Sequence, residues 1–341
     1  MFSLEHYHAL HQGTGLVDRS RRGRLRLTGA DRKEYLQGLL TNDTAALSAG
    51  TGCYAALLTA QGRMIADMYL VETGDAIVMD LEREVSAKVF EHLDRFVITE
   101  DVQITDETAS VSQIGVFGPH ASTVLAAVLG LDRSWLDAAA ALENRNAMWE
   151  ATPVLVVRRD DAGVAGFDLL VEVDRARSLA DVLRASGAVD VDPDAVDVSR
   201  VEAGIPVFGR DMTEDTIPLE AGIEGRAISF TKGCYVGQEI IIRVLHRGQG
   251  RVARRLVGLT FDASAAVPPA GSRIRAGDRE IGAVTSAVRS VALGGAIAMG
   301  YVQRDFTEPG TEVSVIDGDS ILAAVVSALP FTPASRAVPS A

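Results

Sequence analysis

Lysine is nearly missing from this 341-residue chain: of 33 basic residues only Lys33, Lys88 and Lys232 carry an ammonium, and the rest are arginine. A lysine in such a background raises the question of what a compact, strongly hydrated ammonium does there that a guanidinium cannot. Cysteine is scarcer still, with Cys53 and Cys234 alone. Two are too few for a disulfide framework or for a zinc or iron–sulfur site built from cysteine only. The six histidines form no HExxH pattern, so no dedicated metal site is expected. No apolar run reaches about 18 residues, which argues against a membrane span. The start, MFSLEHYHALHQGTG, has no apolar stretch after basic residues, so no secretory leader and a cytoplasmic location are expected. Positive charge is outnumbered, 33 to 46, leaving a net charge of −13. Such a surface disfavours general binding to nucleic acid or anionic membrane.

Hydrophobic residues make up 47% of the chain and charged residues 23%, an ordinary globular balance. The length predicts two or three packed units. Residues 24–28 alternate as a half-exposed strand, and 32–40 place Tyr35, Leu36, Leu39 and Leu40 at helical spacing. Two apolar runs, 54–60 and 64–72, flank Gln61-Gly62-Arg63 and read as a hairpin, with a further strand at 75–80. Residues 82–95 put Val85, Val89, Phe90 and Leu93 on one helix face. Strands and helices then alternate to about residue 230. Residues 134–150 read as helix then loop, 153–158 and 167–173 as paired strands, and 178–187 as a helix. Asp192-Pro193-Asp194 starts another helix, which Gly204 and Pro206 end.

The pattern changes near residue 251. Short apolar runs at 255–260, 281–288, 296–302, 312–316 and 321–327 are separated by turn residues, as in a small antiparallel barrel or sandwich. Residues 331–341 read as a loose tail.

Chemistry concentrates at 231–243, Thr-Lys-Gly-Cys-Tyr-Val-Gly-Gln-Glu-Ile-Ile-Ile-Arg. Gly233 and Gly237 bracket Cys234 and Tyr235 and permit sharp turns or close approach. Gln238 and Glu239 suit the first turn of a helix, whereas Ile240–Ile242 suits a strand. If the helix forms, Cys234 precedes its N-terminus with Lys232 nearby, an arrangement that favours the thiolate. The alternative is a small buried cysteine in a tight turn.

Lys232, Gly233, Cys234, Tyr235, Gly237, Gln238, Glu239 and Arg243 together resemble the signature of YgfZ-type proteins, a branch of the glycine-cleavage T-protein superfamily. Flanking segments are similar too: Glu202–Gly209, Asp211-Met212 and Pro218-x-Glu220-Ala221-Gly222 before the signature, and Leu40–Asp43, Tyr54 and Gln61-Gly62-Arg63 in the N-terminal half. Gly166-Phe167-Asp168 resembles the Gly-Tyr-Glu stretch whose carboxylate binds the pterin in T-proteins. The resemblance spans residues 10–330.

It implies an α+β fold: two interleaved folate-binding subdomains over 1–250, a C-terminal antiparallel β-barrel over 251–330, and a flexible tail over 331–341. Tetrahydrofolate or a derivative is the implied cofactor, with Asn42, Tyr54, Asp168, Tyr235, Gln238, Glu239 and Arg243 as implied binding residues. Cys234 is the implied functional thiol, with Lys232 beside it. The implied role is an accessory factor for iron–sulfur cluster assembly or repair in client enzymes, tRNA-modifying ones included, with those clients or assembly factors as partners. One thiol cannot ligate a cluster alone. T-proteins carry a key carboxylate at the first Asp of Gly-x-x-x-Asp-Asp, and here Ala66 stands at that position, followed by Asp67. That departure speaks against glycine-cleavage chemistry. A tetrahydrofolate-dependent aminomethyl- or methyltransferase, and a folate-sensing module without chemistry, are the alternatives. Residues 243–255 carry Arg243, Arg247, Arg251, Arg254 and Arg255 without an acid, either an anion site or an exposed linker.

Overall fold

A computed structural model describes residues 3–246, 251–318 and 320–332. Two sheets face each other across the N-terminal three-quarters, and a closed barrel follows. The first sheet has five strands in the order Gly52–Leu58, Met64–Glu72, Ile77–Leu81, Gly23–Thr28, Gln103–Asp106. The second has six, in the order Val189–Asp190, Gly15–Asp18, Val111–Phe117, Gly166–Glu172, Thr152–Arg159, Asn144–Trp149. Gly15–Asp18 lies in the six-stranded sheet and Gly23–Thr28 in the five-stranded one, so the chain crosses between sheets within a few residues. That crossing is the interleaving the resemblance implies.

Each sheet carries helices on its outer face. Leu36, Met68, Leu70, Val89 and Leu93 pack between the five-stranded sheet and the helices Arg32–Gln37 and Arg83–Asp94. Leu125, Val156, Leu169, Leu179 and Leu183 do the same for the six-stranded sheet. Alternation along each strand sends the other residues into the space between the sheets. Part of that space is apolar, with Tyr54, Leu58, Val78, Val157 and Leu170 in one core that also takes in Phe208, Met212 and Ile241.

The helix Pro193–Glu202 starts as its sequence requires, with Asp192 accepting from the Ala195 amide at 2.7 Å and proline in the first turn. It carries the bridge to the barrel: Tyr7 donates to Glu202 at 2.7 Å, and the opposite carboxylate oxygen accepts from Ser290 at 2.6 Å. The barrel closes in the order Arg254–Phe261, Ala296–Gln303, Arg279–Arg289, Arg273–Ala276, Glu312–Asp317, Ser320–Ser327.

Three readings of the sequence need correction. Residues 144–149 form an edge strand, not a loop; Asn144, Ala147 and Trp149 are buried along an otherwise exposed run. The barrel has a sixth strand at Arg273–Ala276, whose one fully buried residue, Ile274, leaves too weak an apolar run to notice. The helix placed at 178–187 begins earlier, at Val173. Arg247 and residues 333–341 lie outside the described residues.

Candidate functional site

The hairpin Gly52–Leu58 to Met64–Glu72 builds the site. A register shift between Leu57 and Leu58 sets which residues of the second strand face inward. Ala66, Met68 and Leu70 point to the helix layer, while Asp67, Tyr69 and Val71 point between the sheets. Ala66 is fully buried among leucines and methionines there. An acid at Ala66 would be stranded in an apolar core, so that position is not where this sheet presents a carboxylate to a ligand. Asp67 is the carboxylate on the inner face. Ala66 therefore does not speak against glycine-cleavage chemistry.

Tyr54 donates to Asp67 Oδ2 at 2.5 Å. The Tyr54 and Tyr69 rings lie 4.8 Å apart at centroids, and the Arg226 guanidinium stands 5.2 Å from the Tyr54 ring. Asp67 and Tyr69 retain part of their accessible surface, and Arg226 is exposed. Yet the protein surrounds Asp67 closely enough to push its carboxyl up to about 6, burial outweighing the Tyr54 hydrogen bond and the positive charge of Arg22. Side chains that are both accessible and closely surrounded line a recess. It is lined by Tyr69, by Asp67 with its raised pKa and by the cation Arg226, with the buried Tyr54 behind them.

Asn42 positions this recess from behind. Its Nδ2 donates to the Tyr54 carbonyl at 2.8 Å and to the Arg226 carbonyl at 2.9 Å, tying the hairpin to the segment that carries Arg226. Its Oδ1 accepts from the Asp43 amide. With those bonds made, Asn42 acts by holding its neighbours.

Beyond Tyr69 the space between the sheets turns ionic. The Arg159 guanidinium lies 3.8 Å from the Tyr69 ring centroid and bonds Asp80 and Asp161, each at 2.7 Å. Arg19 bonds Asp161 at 2.6 and 3.0 Å, and Arg22 pairs with Asp80 at 2.5 Å and with Glu82. Burial alone would raise Asp80, but Arg22, Arg159 and Arg19 together hold it below the ordinary range. Asp161 is likewise held well below it, Arg159 and Arg19 overcoming burial.

Asp168 sits inside this layer with no accessible surface. It accepts from Gln113 at 2.7 Å, with Arg159 at 3.4 Å and Arg19 at 3.6 Å. Its Oδ1 accepts no hydrogen bond, and burial raises its pKa. Arg159 and Arg19 are the cations beside it.

The signature segment divides by direction. The helix reading holds, over Gln238–His246. Ile241 faces the core and Tyr235 is buried. Gly237 has φ +85, and a Cβ there would come within 2.6 Å of the Thr59 carbonyl. Glycine is therefore required where the loop presses on the hairpin turn. Gln238 is half-buried at the helix start, whereas Glu239 and Arg243 are exposed and pair with each other at 2.6 Å. Cys234 is exposed, so the buried-turn alternative does not hold.

Lys232 does not serve as a partner for that thiol. Its Nζ donates to the carbonyls of Gln37, Leu40 and Asn42, each at 2.7 Å. A tetrahedral ammonium satisfies three carbonyls that converge on one atom, whereas no single guanidinium nitrogen carries more than two N–H donors. Burial lowers its pKa to about 8, so it remains charged at neutral pH. Arg226 and the ionic layer are what the sequence reading missed. Isolated arginines in an arginine-rich chain give no local signal, and only strand register brings them together.

Among the described residues no cluster of three or more His, Cys, Asp or Glu is placed to hold a metal, and no helix is long and apolar enough to cross a membrane.

Comparison with known proteins agrees with the architecture. The GCVT N-terminal domain matches residues 2–232, and the glycine cleavage T-protein C-terminal barrel domain matches residues 254–332. An aminomethyltransferase of Cutibacterium acnes is 31% identical over 342 residues, covering 96% of this chain and 90% of its own length. One of Thermosynechococcus vestitus is 30% identical, covering 96% and 87%. The crystal structure of glycine cleavage system aminomethyltransferase T from Bartonella henselae superposes with a TM-score of 0.86 at 25% identity, covering 96% of this chain and 89% of that one.

Proposed function

Because the chain belongs to the glycine-cleavage T-protein family, we propose that it binds tetrahydrofolate in the Tyr54–Asp67–Tyr69–Arg226 recess and carries out folate-dependent transfer of a one-carbon unit, with aminomethyl or methyl groups as the substrate class. The single observation behind this is the Tyr54–Asp67 hydrogen bond inside a recess that raises the acid to about 6.

The residues present fit the cofactor. A pterin is flat and presents amide and amino donors. Tyr69, backed by the buried Tyr54, supplies apolar surface and Asp67 an acceptor. Arg226 supplies a cation for the carboxylates of the glutamate tail. Bound tetrahydrofolate supplies the nitrogen that accepts the one-carbon unit. Asp67 stabilises an amine that becomes cationic and holds or releases a proton near neutral pH. Tyr54 fixes the orientation of that carboxylate, and Asn42 fixes Tyr54. We assign Asp168 to the ionic layer, since Arg159 and Arg19 would have to leave it before a ligand could reach it.

The test is calorimetric titration with tetrahydrofolate and its 5-formyl derivative, followed by an aminomethyl-transfer assay. Micromolar binding that Asp67→Asn and Arg226→Met weaken supports the reading. Absence of folate binding removes it.

A second reading, the YgfZ-type accessory role in iron–sulfur cluster assembly or repair, is favoured by the exposure of Cys234 on a loop that Lys232, Tyr235 and Gly237 anchor rigidly. Cys234→Ala separates the two. Under the accessory role it lowers client iron–sulfur enzyme activity in cells while leaving folate affinity unchanged. Under the transferase role it leaves both unchanged.

A further inference from the structure

The Arg226 side chain has no anchor of its own. Its guanidinium stands 5.2 Å from the Tyr54 ring and makes no hydrogen bond or ion pair to the described residues. A long side chain without a partner keeps its rotamer freedom, so the placement of its backbone decides what it can reach.

That backbone is fastened at three points to Thr41 and Asn42. Asn42 Nδ2 donates to the Arg226 carbonyl at 2.9 Å, Thr41 Oγ1 donates to the Ala227 carbonyl at 2.6 Å, and the Ser229 amide donates to the Thr41 carbonyl at 3.1 Å. Thr41 is bonded in turn to the hairpin. Its amide donates to the Ala56 carbonyl at 3.0 Å, and its hydroxyl accepts from the Ala56 amide at 2.8 Å. Thr41, Ala56 and Ala227 have no accessible surface, so water does not compete for these bonds.

Lys232 holds the same segment from another side. Its ammonium takes the carbonyls of Leu40 and Asn42, the two residues that flank Thr41, and that of Gln37 at the end of the helix Arg32–Gln37. The loop that carries the lysine is pinned there too, the Val236 amide donating to the Gly38 carbonyl at 3.2 Å. Without the ammonium, three carbonyls lose their donor, and the two beside Thr41 belong to the segment on which Arg226 hangs.

We propose that Lys232 is a positioning residue for Arg226, and that through it the signature segment sets the affinity for the charged tail of the folate. The inference rests on the folate reading, and it assigns the lysine to the recess and not to the Cys234 thiol. The test is calorimetric titration of the full-length protein with 5-formyltetrahydrofolate and with its glutamate dimethyl ester, which keeps the tail and loses its charges. Wild type should prefer the free acid. Lys232→Met should narrow that preference at least about threefold while binding the ester as wild type does. Lys232→Gln keeps two donors on a shorter side chain, and it is titrated instead if Lys232→Met does not fold. In an Arg226→Met background, which has no tail cation to misplace, either change should add nothing. An equal loss for both ligands, a loss that persists without Arg226, or an unchanged preference would each overturn the inference. Equal affinity of wild type for acid and ester overturns it as well and leaves the recess standing. Wild type that binds neither ligand removes the folate reading and this inference together.

Discussion

The hydroxyl of Tyr54 and the carboxylate of Asp67 meet at 2.5 Å across two antiparallel strands, diagonal to each other in register. The bond favours the ionised acid, and burial opposes it more strongly. Two consequences differ in sign. Activity that needs the carboxylate should rise with pH and level off above about 6. Tyr54→Phe removes the bond that favours ionisation, so the inflection in a pH–rate profile should move upward. An unchanged inflection would mean that Asp67 is not the titrating group.

Stability responds the other way. Because the folded pKa lies above the unfolded one, the native state binds more protons between about pH 4 and 6, and stability falls as pH rises through that window. Asp67→Asn should therefore be more stable than wild type at pH 7, by about 1–2 kcal/mol. That is below the roughly 3 kcal/mol of a fully enclosed group, since Asp67 keeps some solvent contact. Denaturant melts at pH 4 and pH 7 measure the difference.

Arg159 neutralises more buried charge than any other side chain near the site, facing Asp80, Asp161 and Asp168. Arg159→Met should cost about 3–5 kcal/mol, because it strands acids that cannot reach water. The loss should shrink as pH falls and those acids protonate. Asp168→Asn, which keeps its place beside Gln113, should change folate affinity by less than about twofold, within 0.4 kcal/mol. A larger loss would show that Arg159 and Arg19 yield to ligand.

For Lys232 the expected outcome is loss of stability in both Lys232→Met and Lys232→Arg, by about 2–4 kcal/mol. Neither substitute can donate to three carbonyls from one nitrogen. Full stability in Lys232→Arg would show that charge alone suffices at this position.

The two cysteines should label at different rates. Burial pushes the Cys53 thiol up to about 12, while Cys234 is exposed. Maleimide labelling followed by peptide mass mapping should find Cys234 modified first. Equal rates would indicate that the strand bearing Cys53 opens as readily as the loop.

Local pattern carried much of the architecture. The hairpin, the Asp192 cap and the shift to short strands after residue 251 all stand where spacing and turn residues put them. What the sequence concealed depended on register. One shifted pair at Leu57 and Leu58 decides that Asp67, and not Ala66, faces between the sheets, and no composition encodes it. The ionic layer was hidden for the same reason: Asp80, Arg159 and Asp168 come from three strands of two sheets, and Arg19 follows the end of a fourth. Lys232 was noticed through its rarity, but its role emerged only from three carbonyls that converge in space.

The barrel joins its first strand to its last, with Gly258 opposite Ser327. During synthesis the strand Arg254–Phe261 therefore keeps a bare edge until Ser320–Ser327 has been made. A chain ended before Ser320 would keep two such edges, on Arg254–Phe261 and Glu312–Asp317, each a template for pairing with a neighbour.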